Sequence, residues 1–139
     1  MLNKMRVLVE QSDAASLSHL ESMDLAFMDF AYRWISCYLT REFDINQIIK
    51  LWDTYFAEEE GFSQFHCYVC AVLFLKFAPL LKDMEYQDAM IFLQAVPTQD
   101  WTDVDLEMLV SKAFEMKMLF EVNKGSALAT SNNNFGGGK

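Results

Sequence analysis

The residues best placed by type and spacing to do chemistry lie in the run His66-Cys67-Tyr68-Val69-Cys70. Two cysteines beside a histidine can begin a zinc site, which needs four ligands in a tetrahedral array. Further ligands of these types come only from Cys37 and His19, both distant in the sequence. A redox CxxC pair requires a strand running into a helix, and that context is missing here. On a helix Cys67 and Cys70 share a face, where free cysteine packs as a small hydrophobe. Packing is therefore preferred over catalysis, and neither a metal nor a cofactor is expected. No G-x-S-x-G elbow and no glycine-rich phosphate loop occurs. His19 reads as a surface or hydrogen-bonded residue of a short amphipathic helix. The run Glu58-Glu59-Glu60 lacks the alternating spacing of a calcium loop. It reads as a solvated loop whose other use would be attraction of a basic partner.

The elements that must position these residues are helical almost throughout. Asp13 caps a helix that turns Leu17, Leu20 and Met23 inward, preceded by a weakly helical stretch carrying Leu2, Met5 and Val9. From Asp24 to Leu39, Phe27, Phe30, Ala31, Trp34, Ile35, Tyr38 and Leu39 fall on one helical face. Asp24 and Asp29 suit the positive end of that helix. Asp44 with Gln47 predicts a capping box for the helix that presents Ile48, Ile49, Leu51, Trp52, Tyr55 and Phe56. Gln64 to Phe77, with Ser63 as cap, is apolar on nearly all faces and predicts a central buried helix ended or kinked by Pro79. Tyr86 to Val96 predicts a shorter helix stopped by Pro97, and Thr102 or Asp100 caps the last one. The fold class is thus all-α, a compact domain of about six to seven helices over residues 1–122. Residues 123–139 are polar and glycine-rich and are expected to be disordered.

Composition sets outer bounds. The chain has 139 residues, enough for one domain. Hydrophobic residues make up 53%, so the core can be large, and more apolar surface than so small a domain can hide is expected. The net charge of −9, with Arg6, Arg33 and Arg41 as the three arginines, argues against gripping nucleic acid or anionic lipid. Three cysteines and an N-terminus without a signal-like apolar core predict a reducing, cytoplasmic setting. The longest unbroken apolar run, Cys67 to Leu75, is about half a membrane span, so no transmembrane segment is expected.

Five segments in order carry a resemblance. They are Phe30-Ala31-Tyr32-Arg33-Trp34, Leu39-Thr40-Arg41-Glu42-Phe43, Ile49-Lys50-Leu51-Trp52-Asp53-Thr54-Tyr55, Gly61-Phe62-Ser63-Gln64-Phe65-His66, and Phe92 to Thr98 followed by Trp101. Together they resemble the C-terminal part of a TBC domain, the Rab GTPase-activating domain, in the branch associated with the Golgi. The resemblance covers about residues 13–121 and implies a helical, cytosolic protein acting on membrane-bound Rab GTPases. Phe30, Arg33, Trp34, Leu51, Trp52 and Asp53 are expected to be architectural. Arg33 would pair with a carboxylate, Trp52 would face inward, and Asp53 would accept hydrogen bonds from backbone or arginine.

Family members accelerate GTP hydrolysis with the arginine of I-x-x-D-x-x-R and the glutamine of Y-x-Q. An arginine supplied in trans can contribute 10³–10⁵ in rate. No arginine here has Ile six and Asp three residues before it, and no tyrosine has Gln two residues after it. No catalytic residue is therefore assigned, and activity alone is expected to be weak or absent. The resemblance implies that both motifs precede the matched segment, so the chain reads as a C-terminal half whose N-terminal half would be a partner. An apolar face left bare would favour self-association. The competing reading is a non-catalytic helical module that binds a Rab or a scaffold, with Arg41 and Glu42, in a turn between helices, as the partner-facing residues. A third, an unrelated enzyme using His66, Cys67 and Cys70, lacks a fourth ligand.

Overall fold

A computed structural model describes residues 1–133 of the chain. Six α-helices follow one another: α1 Leu2–Ser22, α2 Met28–Ser36, α3 Ile45–Phe56, α4 Phe62–Leu81, α5 Tyr86–Gln94 and α6 Asp103–Asn133. No strand occurs among the described residues.

Helix α4 is the axis of the fold. Phe65 through Phe74 are all buried, and α1, α2, α3 and α6 pack around it. It is long and apolar enough to cross a membrane by length and composition, yet most of that apolar surface is covered by the other helices. Gly61, at φ +98°, starts the helix, so Ser63 lies inside the first turn rather than capping it. Its hydroxyl instead lies 3.1 Å from the Tyr38 hydroxyl. Pro79 sits in the last turn without ending the helix, which continues to Leu81. A proline there removes a single backbone donor. The His19 Nε2–H donates to the Leu81 carbonyl at 2.9 Å, which fixes α1 to the end of α4.

Local chemistry explains the boundaries. Asp13 breaks α1 at φ −154° and ψ 77°, and its carboxylate accepts the Ser16 N–H at 3.2 Å, a cap inside a kinked helix. Asp44 and Gln47 form the reciprocal capping box of α3. Thr102 precedes α6, and the Asp105 carboxylate accepts its backbone N–H at 2.8 Å.

Two boundaries differ from the periodicity. Asp24 does not begin α2. It closes α1 at φ +58°, with Leu25 N–H donating to Leu20 O and Asp24 N–H to Glu21 O. Tyr38 and Leu39 leave α2 by the same device, at φ +50° and +62°, with Leu39 N–H donating to Trp34 O and Tyr38 N–H to Ile35 O. These paired bonds are the Schellman pattern, ordinarily built on glycine. The apolar side chains at 25 and 39, both 0% exposed, hold it in place without one.

The C-terminal region is also corrected. Helix α6 continues to Asn133, eleven residues past Val122, where polar composition predicts disorder. Residues 121–130 are exposed on every side. Residues 134–139 lie outside the described residues.

Candidate functional site

The segments singled out in the sequence meet in two polar networks flanking α2. In the first, Arg33 of α2 donates Nε and Nη2 to Glu42 Oε1 at 3.1 and 3.0 Å. Its Nη2 also donates to the Gln94 carbonyl at the end of α5 at 2.6 Å. The Thr98 hydroxyl donates to the Glu42 carbonyl. Gln47 Nε2 donates to the carbonyls of Thr98 and Trp101, each at 3.3 Å. The loop from Val96 to Trp101 is thereby tied to the α2–α3 turn.

This arrangement corrects the expectation for Glu42. Its side chain is 1% exposed and is spent on Arg33, so it does not present itself to a partner. Burial pushes its carboxyl above the usual range, and the Arg33 hydrogen bond and charge pull the other way without cancelling the effect. Arg41, the neighbouring candidate, is exposed.

The second network centres on His66, which is fully buried. Its Nε2 lies 3.0 Å from the Trp34 carbonyl and its Nδ1 2.8 Å from the Tyr55 hydroxyl. A carbonyl only accepts, so Nε2 carries the proton and Nδ1 accepts from Tyr55. One neutral imidazole thus joins α2, α3 and α4. Burial lowers its pKa to about 4 and drives that of Tyr55 upward. Tyr38 lies against the imidazole at 4.6 Å between ring centres.

Cys70 lies within 3.5 Å of His66 Nε2. Cys67 Sγ approaches the carbonyls of Met1 and Ser63 at 3.6 and 3.7 Å. Both cysteines are buried, and burial raises both thiols. A protonated, enclosed thiol is a poor nucleophile and a poor ligand. No cluster of three His, Cys, Asp or Glu side chains able to hold a metal occurs among the described residues.

The remaining motif residues divide into two groups. Phe30, Trp34 and Leu51 are core, with Phe30 stacked on Phe74 at 5.5 Å. The indole N–H of Trp34 is buried with no partner among the described residues. Trp52 is half-buried rather than wholly inward, and its Nε1–H donates to the Tyr38 carbonyl at 3.2 Å, bracing the left-handed turn. Asp53 is exposed and its carboxylate has no partner among the described residues, contrary to the expectation of an accepting role. A charge at the edge of the apolar stripe signals that Arg33 takes a carboxylate, but not that the carboxylate is Glu42. The part played by Gln94 and Thr98 had no local signal, because it depends on contacts 61 and 56 residues apart.

An all-helical domain with these polar groups spent on joining its helices is the class that fold and site define. Comparison with known proteins adds the family. Residues 1–82 match the Rab-GTPase-TBC domain family. GTPase-activating protein gyp1 of Schizosaccharomyces pombe is 45% identical over 120 residues, which cover 86% of this chain and 23% of that protein. Human TBC1 domain family member 22A is 37% identical over 114 residues, covering 81% of this chain and 22% of its own length. The crystal structure of the Ypt/Rab-GAP domain of Gyp1p superposes with a TM-score of 0.80 at 38% identity, covering 86% of this chain and 38% of that one. The chain belongs to the Rab-GTPase-TBC domain family. It spans about a quarter of the length of these curated relatives.

Proposed function

We propose that this chain serves in the regulation of Rab-family small GTPases in vesicle trafficking, as the part of a TBC unit that does not carry the catalytic fingers. The 45% identity to a GTPase-activating protein over most of the chain supports the Rab connection. The lack of I-x-x-D-x-x-R and Y-x-Q anywhere in the 139 residues supports a non-catalytic role for this segment. A natural partner is then the N-terminal half of a TBC domain, and the setting is cytoplasmic, peripheral at Golgi membranes.

The test is single-turnover GTP hydrolysis by a panel of purified Rab proteins with and without the full chain, beside binding to their GTP and GDP forms. The expected outcome is stimulation below tenfold, far under the contribution of an inserted arginine, with binding that prefers the GTP form. Stimulation above tenfold would overturn the non-catalytic assignment. Binding indifferent to the nucleotide, or none to any Rab, would overturn the regulatory one. Fluorescence microscopy of a tagged chain tests the Golgi setting.

A further inference from the structure

Helix α3 buries one face and leaves another bare. Ile48, Leu51 and Tyr55 enter the core. Ile45, Ile49 and Phe56 are 70%, 53% and 73% exposed. With half-buried Trp52 they fall four, seven and eleven residues after Ile45, on one helical stripe. Phe62, at the start of α4, extends it, its ring 4.9 Å from Phe56 and 5.5 Å from Trp52. Single exposed apolar residues are ordinary. A continuous stripe of about 16 Å, at 1.5 Å per residue, is a contact surface.

Charge selects its occupant. Asp53, four residues after Ile49, edges the stripe with a free carboxylate. Beyond Phe56 comes the acidic loop. Lys117 takes up Glu58 at 2.6 Å and reaches Glu60 at 4.0 Å, while Glu59 is exposed without a partner among the described residues. Lys50, the one cation of α3, is engaged by Asp103 of α6. The stripe is therefore bordered by negative charge, and the one lysine of α3 stands opposite a carboxylate of α6. Two copies meeting about a two-fold axis set the same patch against itself. That would bring acidic edge to acidic edge on chains that each carry a net charge of −9. We infer that the α3 stripe of Ile45, Ile49 and Phe56, edged by Asp53 and followed by the acidic loop that carries Glu59, is a docking face for a basic amphipathic helix of another protein. A partner helix laying apolar side chains at three- and four-residue spacing along the stripe would set lysine or arginine over the two carboxylates. This assignment does not depend on the Rab reading.

The experiment titrates the full chain with two synthetic helical peptides that share one leucine stripe, flanked by lysines in one and by glutamates in the other, at near-physiological salt. The lysine peptide is expected to bind and the glutamate peptide not to bind at the same concentrations. Ile49→Ser with Phe56→Ser should weaken binding at least tenfold, while Met108→Ser with Leu119→Ser, two exposed α6 positions, should change it less than twofold. Asp53→Lys should weaken binding at least threefold more than Asp88→Lys, an exposed change of equal charge on α5. Equal effects of these two variants would reduce the attraction to net charge and overturn the proposal. So would an unchanged affinity in the Ile49–Phe56 double variant. A dimer in sedimentation that the same double variant dissociates would give the face to a second copy instead. All six positions are exposed, and circular dichroism verifies that each variant is folded.

Discussion

Arg33 gives both Nε and Nη2 to one oxygen of Glu42, and the second oxygen, Oε2, is buried with no partner among the described residues. The pair joins the α2–α3 turn to the end of α5, and its carboxylate depends on a single guanidinium. Removing one member of a buried ion pair strands the other, at about 3–5 kcal/mol. Arg33→Met should therefore lower unfolding free energy in urea by about that amount. Glu42→Gln should lower it by less, because an amide oxygen still accepts from Arg33 and the Thr98 bond goes to the backbone. Equal losses in the two variants would deny the pair its role.

His66 makes stability depend on pH in a definite direction. Its folded pKa of about 4 lies below the ordinary 6.5 of the unfolded chain. Above pH 6.5 the ring is neutral in both states and adds no pH dependence. Between 6.5 and 4 the unfolded chain takes up a proton that the folded one refuses, so stability falls as pH falls, by about 3 kcal/mol over the window. The raised carboxyl of Glu42 works oppositely in acid, so the measurement is a difference. Urea midpoints of wild type and His66→Gln at pH 7.5 and 5 should show the wild type losing more. Parallel losses would mean that His66 is not the titrating group.

Thiol accessibility should follow burial. Cys67 and Cys70 are enclosed with raised pKa, and Cys37 is partly exposed. A chromogenic disulfide reagent should label one thiol quickly in the native protein and three in denaturant. Rapid labelling of two or three would place the α4 cysteines in contact with solvent.

The end of α6 should be dispensable for stability. Residues 121–130 are exposed on all sides, and truncating such a segment changes stability by about 0.5 kcal/mol or less. A chain ending at Val122 should keep its urea midpoint while losing helical circular dichroism signal. A midpoint shift of several degrees of thermal stability or a comparable urea shift would show that the segment packs on the domain.

Features written in local chemistry were legible in the sequence. The Asp44–Gln47 box, the cap at Asp13 and the buried α4 each follow from neighbours within a few residues. The ends of α2 were not, since Asp24, Tyr38 and Leu39 occupy left-handed positions where glycine is the usual signal, and the apolar spacing runs on unbroken through them. Glu42 illustrates the limit at the candidate site. Beside Arg41 it looks like a turn charge, and its burial depends on Arg33, nine residues back, and on Thr98, 56 residues on. The polar composition after Val122 hid a helix because Ala127, Leu128 and Ala129 are good helix formers among the serines and asparagines.

The packing of α1 on α4 bears on how the chain must be made. Lys4 bonds Gln64 at 2.9 Å across 60 residues of sequence, and its ammonium lies 4.5 Å above the Tyr68 ring. During synthesis the apolar side of α1 has no such surface until α4 has left the ribosome. At about 5–20 residues per second, sixty residues take roughly 3 to 12 s. For that interval α4 does not cover Met5, Leu8 and Val9, all later sealed in the core. The order of synthesis thus leaves the apolar side of α1 waiting for its partner, and such transiently uncovered surface is aggregation-prone.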